Sequence, residues 1–185
     1  LTVGRGTKAG TKAFNIRDGL GIVLAQRAGL KLGLISGRSA ESVARRAAEL
    51  RMAVVRQGVR DKGAELRSVL AGLTAELKLG SGYFLIGISQ IAVGADSIFT
   101  RCCEDLSIQQ RIFLPQSLDD YLSAADESGQ PDFTEVRKEI AQALLKSPHI
   151  IQQRVVSDAG DRLERFEDTN IELVRVSDVI VCLFR

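Results

Sequence analysis

The stretch Leu34-Ile35-Ser36-Gly37-Arg38-Ser39 decides the fold that this sequence predicts. The apolar run at residues 32–35 predicts a buried strand, and residues at helical spacing follow from position 41 to position 50. A strand, a glycine turn and a helix in this order place a hydroxyl and a guanidinium beside a helix N-terminus, where backbone N–H groups favour an anion. Two interpretations stay open. Arg38 grips a phosphate or carboxylate there, or the stretch is an ordinary turn with Ser39 as the helix N-cap.

The composition is that of an ordinary globular protein. The chain has 185 residues, 45% of them hydrophobic and 26% charged, and a net charge of +2. This charge predicts no attraction to nucleic acid or to a membrane surface, and no apolar run reaches the roughly 18 to 20 residues of a membrane-spanning helix. The three cysteines show no metal-ligand spacing. We therefore expect a cytoplasmic protein without nucleic-acid or membrane partners.

Strand and helix patterns alternate along the chain, which favours a mainly parallel sheet. Polar residues with glycine and proline predict a loop or lid at 117–132. The helical spacing predicts three inward faces. They consist of Leu20, Val23 and Leu24; of Val136, Ile140, Ala143 and Leu144; and of Leu163, Phe166, Asn170, Leu173 and Val174. The predicted strands are residues 32–35, 52–55, 83–89, 111–115, 150–156 and 176–183. The main predicted helices are residues 19–28, 39–51, 62–77, 133–146 and 163–174.

Three blocks in the first part of the chain carry a family resemblance. They are Lys12-Ala13-Phe14-Asn15-Ile16-Arg17-Asp18-Gly19, the Ser36-Gly37-Arg38 stretch, and Val55-Arg56-Gln57-Gly58-Val59-Arg60-Asp61-Lys62. In this order and spacing they resemble the small phosphatases of the haloacid dehalogenase superfamily, in particular the 3-deoxy-manno-octulosonate 8-phosphate phosphatase group. The resemblance covers residues 1–79. It implies a three-layer, Rossmann-like α/β fold with a mainly parallel sheet and an N-terminal hairpin flap at residues 1–18.

The resemblance also implies a phosphate site. In this family the hydroxyl at Ser36 and the lysine at Lys62 hold the transferring phosphoryl group, and Gly37 and Arg38 belong to the same turn. A lysine at a helix start opposes the helix dipole by some tenths of a kcal/mol, which a bound phosphate would offset. A solvated lysine in the first helical turn is the alternative. Two further residues are substrate candidates, Arg17 and Gln57.

The catalytic pattern of that family is incomplete in this sequence. The family's nucleophile strand, D-x-D-G-x-x-T, would end at Leu1-Thr2, so we expect the protein to continue before residue 1. The family's later strand ends in G-D-D-x-x-D, which holds Mg²⁺, whereas this chain has Gly87-Ile88-Ser89-Gln90-Ile91-Ala92. Isoleucine and serine cannot supply the carboxylate oxygens that Mg²⁺ requires. We therefore expect Mg²⁺ for the family, no metal ligands in this chain, and no phosphatase activity from these residues.

Two short patterns in the second part carry a different resemblance. Gly94-Ala95-Asp96 leads a predicted helix, and Ser177-Asp178 opens the last predicted strand. Together they resemble Rossmann-like sensor domains related to the lysine-decarboxylase-like (LOG) proteins. This implies a nucleotide or a nucleotide-derived ligand, with Gly94 and Asp96 as ligand-binding candidates. The alternative for Asp96 is a charge that only stabilises a helix N-terminus.

The sequence thus predicts a partial phosphatase-like unit at residues 1–79 and a nucleotide-sensor-like unit at residues 80–185. The leading hypothesis is part of a sugar-acid phosphate phosphatase, and the alternative is a nucleotide-binding module without catalysis. The partner is a small phosphorylated molecule or a nucleotide, and a homo-oligomer stays open. We further expect residues 84–88 to lie beside residues 32–35. This pairing would join both parts in one sheet, with Ser36 and Ser89 lining one cleft.

Overall fold

The computed structural model of the chain describes residues 16–76, 85–92, 94–125 and 128–184. Most of the predicted hairpin flap and the side chain of Arg17 lie outside what is described, and residues 16–18 open the first helix. The helices are α1 Ile16–Arg27, α2 Glu41–Glu49, α3 Lys62–Glu76, α4 Ala95–Asp105, α5 Leu118–Ser123, α6 Glu135–Leu145 and α7 Arg162–Arg175. The strands are β1 Lys31–Ser36, β2 Val54–Arg56, β3 Ile86–Ser89, β4 Gln109–Leu114, β5 Ile150–Val155 and β6 Val179–Phe184.

The chain forms two compact units, and the predicted α/β class with parallel sheets is confirmed. Unit 1 comprises residues 1–62 and 178–185, and unit 2 comprises residues 63–177. These bounds differ from the sequence segments 1–79 and 80–185, because the last strand returns to the first unit. None of the described helices is long and apolar enough to cross a membrane.

Unit 1 contains a parallel sheet in the order β2-β1-β6. The central strand β1 is buried on both faces, with Leu32 and Leu34 each 7% exposed and Ile35 fully buried. A continuous apolar run of this kind is typical of a parallel strand covered on both sides. The sheet ends at Ser36 and Arg56, so the carboxyl ends of β1 and β2 meet at one edge.

The predicted pairing of residues 84–88 with residues 32–35 is wrong. The neighbour of β1 is β6, which pairs along all six residues from Lys31↔Val179 to Ser36↔Phe184. Strand β3 has only four residues and pairs with β4 instead. A six-residue apolar partner satisfies more of the backbone N–H and C=O groups of β1 than a four-residue one, which favours β6. The single sheet and its shared cleft are therefore not formed by this pairing.

Unit 2 contains a second parallel sheet in the order β3-β4-β5. Its central strand β4 buries Ile112, Phe113 and Leu114, each at most 2% exposed. Nine buried residues form the main core cluster, namely Ile91, Ile112, Leu114, Tyr121, Leu122, Phe133, Ala141, Leu144 and Leu145. Side chains from one strand, two helices and two connecting segments thus share a single core in this unit.

The prediction of a loop or lid at residues 117–132 is wrong for residues 118–123, which form helix α5. Ser117 Oγ accepts a hydrogen bond from the N–H of Asp120 at 3.2 Å and donates to its carboxylate at 2.6 Å. This reciprocal arrangement resembles a capping box, which nucleates a helix start. Tyr121 and Leu122 of the helix are only 2% and 3% exposed. The Ser-x-x-Asp spacing was present in the sequence, but the dense polar residues around it favoured a loop.

Several predicted inward faces are wrong. Val136 of α6 and Leu163 of α7 are 65% and 67% exposed, and Leu20 of α1 is 58% exposed. Helix α6 buries the predicted Leu144, together with Ala141 and Leu145. The remaining residues of the predicted faces that lie exposed are Leu24, Ile140, Ala143, Asn170 and Val174.

A buried carboxylate joins α7 to β5. Glu172 accepts hydrogen bonds from Arg175 at 2.8 and 2.9 Å and from Arg154 at 3.1 Å. The hydrogen bond from Arg175, helped by the charge of Arg154, lowers the pKa of Glu172 below its ordinary value. The carboxylate form of Glu172 is therefore favoured in the folded protein.

This lowered pKa predicts a loss of stability in acid. Stability from Glu172 is fully present above its unfolded pKa, near 4.5, and is lost as the pH falls through the lower folded value. Urea denaturation across this range should show a weaker acid dependence in Glu172→Gln than in the unchanged protein. Glu167→Gln, on the exposed side of the same helix, is the matched control. If Glu172→Gln and the unchanged protein showed the same acid dependence, protonation of Glu172 would not contribute to the loss of stability in acid.

Candidate functional site

The turn after β1 and the loop after β2 are joined by two backbone hydrogen bonds. The N–H of Val59 donates to the carbonyl of Ser36 at 3.1 Å, and the N–H of Gly58 donates to the carbonyl of Arg38 at 3.3 Å. Gly58 has a φ of +69°, a conformation that glycine adopts without strain. The two segments therefore form one connected edge at the carboxyl ends of two neighbouring strands. Ligands of parallel α/β sheets bind at such edges.

Gln57 holds the N-terminus of α2. Its Oε1 accepts a hydrogen bond from the N–H of Ala40 at 2.9 Å. Ala40 is the N-cap residue, and its own side chain makes no cap bond. The predicted N-cap Ser39 is therefore wrong, because the capping oxygen comes from the neighbouring segment rather than from the turn itself. Substrate binding by Gln57 stays a prediction. In the structure, the side chain of Gln57 positions the first turn of α2.

Ser36 is the last residue of β1 and is 8% exposed. Its Oγ accepts a hydrogen bond from the N–H of Arg38 at 3.2 Å. A serine hydroxyl has one proton to donate and two lone pairs that accept. Because the backbone N–H uses an accepting position, this contact leaves the hydroxyl proton for an anion oxygen. The guanidinium of Arg38 follows directly on the exposed side of the turn.

Lys62 reaches this turn from the third helix. It is the first residue of α3, and its Cε lies 3.7 Å from the position that a Cβ on Gly37 would take. The carbonyl oxygen of Val59 lies 3.4 Å from the same position. The structure thus brings Lys62 together with Ser36, Gly37 and Arg38, four residues that the sequence predicted as a set. Their binding of phosphate stays a prediction.

The electrostatics of this edge favour an anion. Helices α2 and α3 both begin at this edge, with Glu41 and Lys62 as their first residues, and a helix start carries a partial positive charge. Arg38 and Lys62 add two full positive charges. The carboxylates of Glu41 and Asp61 lie in or beside the first turns of these helices and partly balance them. Two helix starts and two cations at one strand edge form the arrangement that binds phosphate in many α/β proteins.

The candidates Gly94 and Asp96 lie in unit 2, at the end of β3. Asp96 Oδ2 accepts hydrogen bonds from the N–H groups of Gln90 and Ala92, both at 3.1 Å. Burial raises the pKa of Asp96, and these two hydrogen bonds oppose the shift. Gly94 is the N-cap of α4 and has a φ of +103°. Asp96 thus closes the turn after β3, and ligand binding by Gly94 and Asp96 stays a prediction.

The residues after β3 do not fit a Mg²⁺ site. Ile88, Ser89 and Ala92 stand where the phosphatase pattern has carboxylates. In the same turn, Gln90 Nε2 donates to Oδ1 of Asn170 at 2.7 Å. The only carboxylate of this turn, Asp96, is hydrogen-bonded to the backbone. Across the described part of the chain there is no group of three or more His, Cys, Asp and Glu residues that could hold a metal ion. Mg²⁺ needs carboxylate oxygens in near-octahedral geometry, which this donor set does not offer.

Sequence reasoning missed the bonds that join the two loops of unit 1. Residue order alone does not show that Val59 and Gly58 donate to the turn after β1, since this depends on the register Ile35↔Arg56. The signal that was present is Gln57-Gly58, a polar residue and a glycine directly after a short strand.

Comparison with known proteins finds similarity only among solved structures. No protein-family model and no curated protein matches the chain. One similar structure is described as a probable YrbI family phosphatase from Pseudomonas syringae pv. phaseolica 1448a. It is 22% identical, with 89% of this chain and 70% of that chain covered and a TM-score of 0.39.

Two further solved structures have similar scores. The 3-deoxy-D-manno-octulosonate 8-phosphate phosphatase from Moraxella catarrhalis, in complex with magnesium, phosphate and KDO, is 24% identical. The alignment covers 80% of this chain and 77% of that chain, with a TM-score of 0.34. The cobalt-bound deoxy-D-mannose-octulosonate 8-phosphate phosphatase (YrbI) from Haemophilus influenzae is 18% identical, with coverages of 85% and 82% and a TM-score of 0.36.

These structures belong to the phosphatase group that the three sequence blocks resemble. The resemblance of residues 82–185 to sensor domains stays a prediction.

Proposed function

We propose that unit 1 binds the phosphoryl group of a small phosphorylated molecule at the turn Ser36-Gly37-Arg38, with Lys62 as the second cation. The observation that carries this proposal is the approach of the Lys62 side chain to the turn, with Cε 3.7 Å from the Cβ position of Gly37. The loop bonds from Val59 and Gly58 hold the two segments in register. A phosphate oxygen would accept from the Ser36 hydroxyl and from both cations, and hydrogen bonds to charged donors are the strong ones.

The position of Lys62 supports the proposal energetically. An ammonium at a helix N-terminus is unfavourable by some tenths of a kcal/mol, whereas an anion between the helix start and the ammonium makes both interactions favourable. Lys62 is half-buried, so its attraction to an anion is screened less than that of an exposed lysine. A bound phosphate thus resolves a local electrostatic conflict.

We further propose a phosphorylated sugar acid as the class of ligand. The support is the sequence resemblance of residues 1–79, together with the two separate cations Arg38 and Lys62. A guanidinium binds a carboxylate or a phosphate through two parallel N–H bonds, so the turn offers donors for two anionic groups. Turnover is not part of the proposal, because the described residues do not fit the family's Mg²⁺ site.

Removing the ammonium of Lys62 is expected to weaken phosphate binding. Titration calorimetry with inorganic phosphate should show a dissociation constant about tenfold higher in Lys62→Met, since a charge-assisted hydrogen bond contributes about 1.5–3 kcal/mol and 1.4 kcal/mol is tenfold in affinity. Lys31→Met is the matched control. Lys31 is exposed at the opposite, amino end of β1 and should leave the dissociation constant unchanged.

A second variant separates the site from a general charge effect. Ser36→Ala keeps the net charge and should also weaken phosphate binding. Equal affinities in Lys62→Met and Lys31→Met, or unchanged binding in Ser36→Ala, would contradict the proposed site.

A further inference from the structure

Strand β5 is the outer strand of the sheet in unit 2, and within the described residues it pairs with β4 alone. Its residues are exposed along most of the strand, and Ile151 and Val155 are 45% and 48% exposed. The strand reads Ile-Ile-Gln-Gln-Arg-Val and contains neither proline nor glycine. An exposed edge strand with apolar side chains is a template for pairing with another chain.

The register with β4 determines which backbone groups of β5 point outwards. The N–H of Val156 donates to the carbonyl of Leu114 at 2.9 Å, and Leu114 is paired with Val155. Backbone groups alternate in direction along a strand. Residues 152, 154 and 156 therefore face β4, and the N–H and C=O groups of Gln153 and Val155 face away from the sheet.

We propose that β5 pairs with β5 of a second copy of this chain, antiparallel and around a two-fold axis at Gln153. In an antiparallel pair, two opposite residues whose backbone groups face each other form two hydrogen bonds, each N–H donating to the C=O of the other residue. The outward groups then place Gln153 opposite its own copy and Val155 opposite Ile151. Such an interface uses the same patch on both copies, as two-fold symmetry requires.

The side chains of β5 are complementary to themselves in this register. Ile151 of each copy lies opposite Val155 of the other copy. The interface therefore contains two such apolar pairs, and the exposed side chains cover one another. Arg154, the only charged residue of the strand, lies opposite Gln152 of the second copy rather than opposite another arginine. Like charges directly opposite would destabilise the pair, and this register avoids them.

The irregularity of the strand lies outside the centre of the proposed contact. The register with β4 shifts between Gln110 and Arg111, which leaves Ile151 without a partner in the β4 ladder. From Gln152 to Val155 the ladder is regular. The proposed axis at Gln153 and the outward groups of Val155 therefore fall in the regular part, and Ile151 lies at the irregular end of the contact.

Sedimentation velocity over a wide range of protein concentration tests the association. The unchanged chain should form a dimer as its concentration rises. Val155→Pro removes an N–H that faces away from β4, so it should leave the sheet intact and weaken the dimer about tenfold or more. Val155→Lys should also weaken it. Val136→Lys is the matched control and should not, because Val136 is an exposed valine on α6, away from the strand.

A cysteine crosslink tests the register. In the proposed pair the two Cα atoms of residue 153 lie about 5.5 Å apart, within the range of a disulfide. Gln153→Cys should therefore form an interchain disulfide under mild oxidation, whereas Gln152→Cys, which faces Arg154 of the other copy, should not. A chain that stays monomeric at every concentration, a dimer that Val155→Pro leaves unchanged, or equal crosslinking of both cysteine variants would overturn the proposal.

Discussion

Replacing Phe133 with alanine is expected to lower the free energy of unfolding by about 3–5 kcal/mol, the usual cost of removing a buried aromatic ring. Phe133 is 3% exposed and lies in the core cluster of unit 2. Its ring meets that of Tyr121 edge to face, with centroids 5.3 Å apart and an interplanar angle of 71°. The variant loses this contact and leaves a cavity beside α5 and α6. Urea denaturation followed by circular dichroism measures the loss.

The control for this prediction is an exposed apolar side chain of the same unit. Leu163 is 67% exposed at the start of α7. Leu163→Ala should change the free energy of unfolding by no more than about 0.5 kcal/mol. If both variants lost the same stability, the assignment of Phe133 to the core and of Leu163 to the surface would be wrong.

Replacing Gly87 with alanine is expected to cost about 1–3 kcal/mol, since it inserts a methyl group into a packed core. A Cβ at this position would lie 2.8 Å from Sγ of Cys103 and 3.2 Å from ring atoms of Phe99. Burial raises the pKa of the Cys103 thiol to about 12, so the contact is with a neutral sulfur that has no water around it. Helix α4 also buries Thr100 and Cys102, so a shift of this helix away from the methyl group would disturb two further buried side chains.

Two variants define the cause of that loss. Gly72→Ala lies in α3 with nothing within 4 Å of the new Cβ, and it should stabilise the protein by up to about 1 kcal/mol because alanine favours a helix. Cys103→Ala should lower the cost of Gly87→Ala, because it removes the sulfur that the methyl group meets. An unchanged cost in the double variant would show that this contact is not the cause.

The local elements of unit 1 could be predicted from the sequence. Residues 32–35 lie within β1, and the helical spacing after Ser39 corresponds to α2. Both signals are local, since an apolar run predicts a buried strand and periodic apolar residues predict a helix. The turn Ser36-Gly37-Arg38 and the start of α3 at Lys62 followed from the same patterns.

The pairing of strands could not be predicted in the same way. Several apolar runs could have lain beside β1, and the choice of β6 depends on a contact between residues about 150 positions apart in the chain. Sequence periodicity does not show which strand pairs with which. The cap that Gln57 gives to α2 was hidden for the same reason, because it requires the β1–β2 register.

The faces of α6 and α7 show a second limit. The apolar spacing predicted Val136, Ile140 and Leu144 on the inward face of α6, and of these three only Leu144 is buried. The helix also buries Ala141 and Leu145. Helix α7 buries Thr169 and Glu172. Burial of these polar side chains is possible because Thr169 donates a hydrogen bond to the carbonyl of Arg165 and Glu172 accepts one from Arg175. A pattern of apolar residues does not include such polar pairs, so it could not identify these faces.

The most direct test of the phosphate site is a titration of the ¹⁵N-labelled chain with inorganic phosphate, followed by the backbone amide signals. We expect saturable shifts of the amide signals of Gly37, Arg38 and Lys62, and unchanged signals at Lys31 and at the turn of Asp96. These shifts should be lost in Lys62→Met. Shifts confined to unit 2, or no saturable shift at the Ser36-Gly37-Arg38 turn, would contradict it.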